Sequence, residues 1–522
     1  MLKRTGLAIV SGLALSLAFE PVAFAYLMPL AVAGFALSTR GLSARRGWLP
    51  GLLFGVAFYF AHIYWMRESI GFAAWVALAA LESLFYGLLG SASAALQRLR
   101  WWPAWLAAAW VTMEIWRSGW PFSGMPWGRL AFGAVDTPAA DALAYVGMNG
   151  LSFLLALMGF LLAWIVVERH RRDRLVAGGV LAAVGAATVV PALAPYRLDE
   201  RGEATVAVVQ GNVPGRGNDV LADPRGLTDN HVEATIDLAA DVRSGDRPQP
   251  DFVLWPENST ALDPFEDRSI NEGIRAAVAA IDVPVVVGGM VGGGDEHVLN
   301  QGIVWDPETG AGDRYTKHHP VAYGEYIPFR PLIRSLGLED QGQLARIGRD
   351  MLTGTGEQPL RVAGIELAGA ICFDVAYDDV FYTQSSNGAE MLTVQTSNAS
   401  FIFTDQIDQQ FAITRLRAIE AGKYLAVAST NGRSGVISPD GEVVATAPAR
   451  TQAVLVESVG LLPGVTPGIR VGGWLGVLLP LAAAAGLLLR ALTYRRVRSQ
   501  TAAPAASPEP ALAGGTQENV PQ

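Results

Sequence analysis

Residues 1 to about 195 are dominated by long runs of Leu, Ala, Val, Gly and Trp, and one further run stands near Gly472 to Leu489. No other feature restricts the fold as strongly. A segment of roughly 17–25 apolar residues can cross a bilayer, and there it must be a helix, because lipid offers the backbone no hydrogen-bond partner. Candidate spans begin near Gly6, Tyr26, Leu49, Gly71, Pro103, Gly150 and Leu175, with an eighth near Gly472. The first two are short and interrupted by Glu20 and Pro21, so a hairpin pair is expected that leaves the topology unchanged whether or not it crosses fully. The chain thus divides into an N-terminal transmembrane bundle over 1–195 with about seven spans and a polar segment over 196–470. A C-terminal transmembrane helix follows over 471–493, then an Ala/Pro/Gly-rich tail over 494–522 that is expected to be disordered and cytoplasmic.

The formal charge of −9 hides basic clusters in alternate loops. These are Lys3 and Arg4; Arg40, Arg45 and Arg46; Arg98 and Arg100; Arg169, Arg171, Arg172 and Arg174; and, past the last run, Arg490, Arg495, Arg496 and Arg498. Basic loops stay on the cytoplasmic side, so the seventh span exits and the polar segment is expected on the outer face of the plasma membrane. The opening MLKRTGLAIVSGLALSLAF resembles a signal peptide, but no clear small-residue cleavage site ends its apolar core and further spans follow; it is read as retained.

Within 196–470, strand-like and helix-like stretches alternate. ATVAVVQGNV, DFVLWPEN, VPVVVGG, QGIVWDPETG, IELAGAICFD, GAEMLTVQTS and LAVASTN read as strands, and INEGIRAAVAAI and QQFAITRLRAIEAGKY as helices. Such alternation predicts sheets covered by helices, with functional groups at strand ends. Glu257, Lys317 and Cys372, the only cysteine, stand at or just after such ends. Singly, each is ordinary: a solvated glutamate, a surface lysine, a core cysteine. Together they supply a complete acyl-transfer set. A thiol attacks as thiolate, a carboxylate accepts its proton, and an ammonium favours the anion and then the oxyanion of a tetrahedral intermediate.

LWPEN, YTKHHPVAYGEYIPF and GAICFD resemble, in this order, the Glu-Lys-Cys motifs of the nitrilase superfamily. GEYIPF and the attached multi-span part resemble its apolipoprotein N-acyltransferase branch. So do AWVTMEIWRSGWPFSGMPWGRLAFG and GMNGLSFLLAL in the apolar part, and VAVVQGNV and RLRAIEAGKYLAVASTNGRSGVISPDG in the polar part. The resemblance implies an α-helical multi-span membrane domain of about eight transmembrane helices joined to an α/β nitrilase-like α-β-β-α sandwich. It implies Glu257 as general base, Lys317 as oxyanion-stabilising cation and Cys372 as nucleophile, with the Phe373 backbone N–H as a second oxyanion donor. Glu325 matches a further acidic position, which orients Lys317, helps to deprotonate an amine, or is only a structural partner of that lysine. SNASFIF, with Asn398, departs from the family's Asn-Asp-Ala-Trp-Phe-Gly; Phe401 replaces the tryptophan as an apolar wall.

The implied reaction runs from a phospholipid acyl donor, through a Cys372 thioester, to a diacylglyceryl-modified apolipoprotein acceptor in a bacterial plasma membrane. It needs no cofactor and no metal. A domain flanked by spans has less freedom to form the large assemblies of soluble nitrilases, so a monomer is expected. Two alternatives stay open: a membrane-tethered amidase that discharges its acyl-enzyme to water, and a non-enzymatic lipid or lipoprotein-binding protein.

Other features point elsewhere or nowhere. Glu82, mid-span, is a functional candidate or a structural partner of His62 or Arg67. Glu114 and Arg117 are spaced to brace each other. Adjacent His318 and His319 do not share a helical face and carry no metal signature. GGMVGGGDEH reads as a turn, and no basic, aromatic-interleaved stripe indicates nucleic acid. YIPFRPLIRSLGLEDQGQLARIG reads either as a surface loop or as a membrane-facing lid with Arg330 and Arg334 on lipid phosphates.

Overall fold

The computed structural model describes residues 1–342 and 344–501. The seven apolar runs form helices near their expected positions: α1 (Leu2–Ser16), α2 (Leu27–Thr39), α3 (Ala44–His62), α5 (Phe72–Leu96), α6 (Trp102–Gly119), α7 (Leu143–Val167) and α8 (Arg171–Leu193); a short helix between α3 and α5, α4 (Trp65–Ser69), was not expected. The polar segment adds α9 (Pro224–Ser244), α10 (Arg268–Ile281), α11 (Arg330–Ser335), α12 (Asp378–Ser386) and α13 (Gln406–Ala421), and the last run forms α14 (Pro467–Thr501). That final helix continues past residue 493, and the rest of the expected tail lies outside the described residues. Phe72–Leu96, Ala140–Val167, Arg171–Leu193 and Pro467–Arg496 are long and apolar enough to cross a membrane by length and composition, and Leu27–Thr39 is a shorter apolar helix.

Sequence explains the tightest packing in the bundle. Gly47, Gly51 and Gly55 recur every fourth residue on α3 and let α5 approach closely: a Cβ on Gly51 would lie 2.3 Å from the Tyr86 carbonyl oxygen, and one on Gly90 2.5 Å from that of Gly47. Outward faces stay apolar. Val189 and Leu193 on α8, and Trp474 and Leu481 on α14, are exposed, a surface suited to lipid rather than water.

The polar segment builds two sheets from β1 (Gly202–Gln210), β2 (Phe252–Leu254), β3 (Val285–Gly292), β4 (His297–Asp306), β5 (Gly310–Thr316), β6 (Asp350–Met351) and β7 (Leu360–Val362), followed by β8 (Ile365–Ile371), β9 (Met391–Thr396), β10 (Leu425–Ser429), β11 (Gly435–Ile437), β12 (Val443–Thr446) and β13 (Ala453–Leu461). One sheet runs β13-β1-β2-β3-β4-β5, with β6 on β4; the other runs β12-β11-β10-β9-β8-β7. Alternation along β1 sorts its residues by layer. Val206 and Val208 enter the core shared with Leu367 and Leu392 of the second sheet, whereas Ala207 and Val209 pack with Leu238 of α9 and Ile274 of α10. On the far side, Phe381 of α12 and Leu416 of α13 cover the second sheet. The result is the expected α-β-β-α sandwich.

One local expectation is corrected. Much of GGMVGGGDEH is strand, because Gly288 to Gly292 pair with β4. Glycine is needed there for close approach: a Cβ on Gly288 would lie 2.1 Å from the Pro256 carbonyl oxygen, one residue before Glu257.

Candidate active site

Strand ends deliver the site. β8 and β9 run parallel, as do β9 and β10, so the residues after them emerge on one edge of the second sheet. Cys372 directly follows β8 with φ 53°, a backbone conformation that an L-residue keeps only when its surroundings enforce it. It opens a short 3-10 turn, Cys372–Ala376. Lys317 directly follows β5, and Glu257 lies just past β2, before Asn258 at φ 56°. In each case a strand fixes the backbone and the turn after it aims the side chain.

Lys317 and Glu257 are buried. Lys317 Nζ donates to Glu325 Oε1 at 2.6 Å and to Glu257 Oε1 at 3.2 Å. Asn300 Nδ2 also donates to Glu257 Oε1, at 2.8 Å, and the Ser397 amide donates to Oε2 at 2.9 Å. Burial works against the Lys317 ammonium, but Glu257 and Glu325 outweigh it and hold the lysine protonated, well above its usual range. Glu325 is shifted upward: burial raises it, Lys317 lowers it and Glu257 raises it again. The Cys372 thiol is pushed up to about 12 by burial first and Glu257 next, against the opposing pull of Lys317. The resting sulfur is a thiol beside a carboxylate and an ammonium.

Two residues support the site beyond those to which the sequence reading gave a role. Asp374, fully buried, accepts from the Tyr315 hydroxyl at 2.9 Å, the His319 amide at 2.8 Å, the Ile371 amide at 3.1 Å and the His318 amide at 3.3 Å. Asn300 holds both Glu257 and, through its carbonyl, the Lys317 amide at 2.9 Å. The signal for Asp374 was present in ICFDV; its donors lie in a distant segment. Asn398, at φ 58°, is held within its own surroundings: its Nδ2 donates to Gln410 Oε1 at 2.7 Å and its Oδ1 accepts from Ser429 at 2.9 Å. Phe401 packs edge-on against Trp65 of α4, with centroids 5.5 Å apart. Phe373 stacks on Trp127 at 5.7 Å.

The segment 11–161 matches the model described as the apolipoprotein N-acyltransferase N-terminal domain, and 205–461 matches the carbon-nitrogen hydrolase model. An apolipoprotein N-acyltransferase of Mycolicibacterium smegmatis is 36% identical over 93% of this chain and 84% of its own length. The chain belongs to the apolipoprotein N-acyltransferase family. It is an acyltransferase and a membrane protein. A relative of the same name from Methylococcus capsulatus is 28% identical over 91% of this chain and 93% of its own. A solved carbon-nitrogen hydrolase from Helicobacter pylori G27 covers 49% of this chain and 88% of its own, with 18% identity and a TM-score of 0.35.

In this N-acyltransferase family member the two matched segments meet at Gln409. Its Oε1 accepts from the indole N–H groups of Trp127 at 2.8 Å and Trp65 at 3.0 Å, while its Nε2 donates to the carbonyls of Glu20 at 2.9 Å and His62 at 3.2 Å. Several expected pairings are corrected here. Glu82 pairs with Arg117 at 3.7 Å, not with His62 or Arg67; His62 stacks on Phe58 and Arg67 donates to Tyr64. Glu114 does not brace Arg117: it accepts from Trp110 and the Leu130 amide, and Arg117 donates to the carbonyls of Met125 and Trp127. Glu114 finds its partners one turn back on α6 and in the segment that follows the helix, and Arg117 finds carbonyls of that same segment, so neither depends on the other. His318 and His319 share one acceptor, Asp379, at 3.4 and 3.0 Å. Arg330 and Arg334 are engaged within the protein, Arg330 by Asp350 and Glu339 and Arg334 by Glu339. Phe329, Leu332 and Leu336 of that loop are exposed.

Proposed function

We propose that the chain moves a fatty acyl group from a membrane phospholipid to the N-terminal amine of a diacylglyceryl-modified apolipoprotein, through a thioester on Cys372. The carrying observation is the buried Lys317 ammonium, held between Glu257 and Glu325 at the strand end that Asp374 ties to the Cys372 turn. With the thiol protonated at rest, deprotonation accompanies attack. Cys372 Sγ bonds to the ester carbonyl carbon while Glu257 takes its proton. The oxyanion faces Lys317 and the Phe373 amide. Collapse breaks the ester C–O bond, and the departing lysophospholipid oxygen takes the proton from Glu257. The amine then attacks the thioester carbonyl, Glu257 accepts its proton, and the C–S bond breaks to return the proton to sulfur. Glu325 orients Lys317; Phe401 and Phe373 form an apolar wall, and Asn398 fixes the loop beneath it.

The reading places a multi-pass bundle in the bacterial plasma membrane with the sandwich on its outer face, in keeping with the alternating basic loops. Lateral entry of the donor avoids exposing its chain to water, at ~0.8 kcal/mol per CH₂. Intact-protein mass spectrometry in phospholipid micelles tests the reading, with Cys372→Ser as control. The expected result is a fatty-acyl mass on Cys372 that a diacylglyceryl-cysteine peptide discharges faster than water does. Equal discharge by water would indicate an amidase, and no adduct on folded protein would refute acyl transfer through Cys372.

A further inference from the structure

A second set of buried charges lies beside the site, and the proposed chemistry does not use it. Arg129 stands in the loop between α6 and α7, its side chain 4% exposed. Its Nη1 donates to Asp378 Oδ1 at 2.7 Å and its Nη2 to Asp378 Oδ2 at 3.1 Å, a two-point fork. Asp378 opens α12, the helix that follows the Cys372 turn. Arg417, fully buried on α13, also donates to Asp378 Oδ1, at 2.9 Å. Its remaining N–H groups reach the Val375 carbonyl at 2.8 Å and the Ala376 carbonyl at 3.0 Å, both within the turn that Cys372 opens. Glu420 balances the charge, accepting from Arg417 Nη1 at 2.6 Å and from the Met148 amide of α7 at 2.8 Å.

The network therefore runs without a break from the membrane bundle to the backbone carrying the nucleophile. We infer that Arg129 and Asp378 form a positioning clamp through which the bundle sets the height and tilt of the Cys372 turn over the lipid acyl donor. The clamp rests on the proposed acyl-carrier role of Cys372. Neither residue touches the reacting atoms. A guanidinium suits the task, because its planar fork fixes orientation as well as distance, whereas an ammonium gives a single point. Register matters because the donor is held by the bilayer and the thiol by the sandwich, so an error in their relative placement falls directly on the attack distance.

The test uses the full chain in lipid nanodiscs. Arg129→Lys keeps the buried charge balance and removes the fork; the paired change Arg129→Met with Asp378→Asn removes both ions together and leaves an amide oxygen as acceptor for Arg417. Three quantities are read: the acyl mass gained by Cys372 from bilayer phospholipid, its acylation by a water-soluble short-chain nitrophenyl ester, and the thermal midpoint. The clamp requires bilayer acylation to fall roughly 100-fold in both variants, with ester acylation and midpoint near those of the parent. Retained bilayer acylation overturns it. So does a parallel loss of both acylations with the midpoint, which marks a merely structural role. If the parent gains no acyl group from either donor, the acyl-carrier reading fails and the clamp falls with it.

Discussion

The Asp374 carboxylate accepts the backbone N–H of His319 at 2.8 Å, which joins the turn opened by Cys372 to the strand end that delivers Lys317. Cys372 and Lys317, the proposed nucleophile and cation, follow strands of different sheets, β8 and β5, so their spacing depends on this junction. An acceptor with this many donors is also a structural keystone. Asp374→Ala leaves several buried donors unsatisfied, each costing about 1–3 kcal/mol. We expect a clear fall in thermal midpoint together with loss of acyl transfer. Asp374→Asn, which keeps one acceptor oxygen, is expected to lie between that variant and the parent.

Glu257 and Glu325 both bind Lys317 but have different assignments, and substitution separates them. Glu257→Gln removes the proposed base and is expected to lower acyl-enzyme formation by about 10²–10⁴. Glu325→Gln keeps a polar partner for Lys317 and is expected to cost less. Single-turnover acylation of each variant measures the two losses, and equal losses would reject the division of roles.

The thiol pushed up to about 12 by burial and Glu257 implies an unusual alkylation profile. An unperturbed cysteine levels off above roughly pH 8.5. Cys372 is expected to react with iodoacetamide at a rate still rising beyond that point. The fold favours the protonated sulfur, so this contribution to stability is whole below the unfolded thiol value and is lost as pH rises toward 12. A plateau near the ordinary value would refute the shift.

His318 is raised to about 9, chiefly by its hydrogen bond to Asp379. The imidazolium is favoured in the fold, so its stabilisation is complete below the unfolded histidine value and disappears as pH rises through about 9. Asp379→Asn is expected to lower the thermal midpoint near neutrality, with the difference from the parent closing above pH 9. A difference independent of pH would assign the effect to packing.

Gln409 satisfies two indoles and two carbonyls at the junction of bundle and sandwich. Gln409→Leu leaves them buried without a partner, at about 1–3 kcal/mol each. We expect a lower midpoint in detergent and weaker acylation, because Trp127 supports Phe373 next to Cys372. Gln409→Glu, which keeps the acceptor for both indoles, is expected to be the milder change.

What was legible in the chain was what is local. Apolar runs marked the helices of the bundle, and strand-like apolar stretches that end in polar residues put Glu257, Lys317 and Cys372 at or just after strand ends. The helix α9 escaped because its apolar positions, Leu227, Ala234, Leu238 and Ala239, are diluted by charge; GGMVG was read as turn because its glycines, needed for close approach, are also turn residues. Partner choice was not legible. Glu82 finds Arg117, Arg129 finds Asp378 and Gln409 finds Trp65 and Trp127 only once helices and sheets have closed on one another. Periodicity says which face of an element leaves water. Which distant group then satisfies a buried charge depends on how elements far apart in sequence come to pack, and only the tertiary structure decides that.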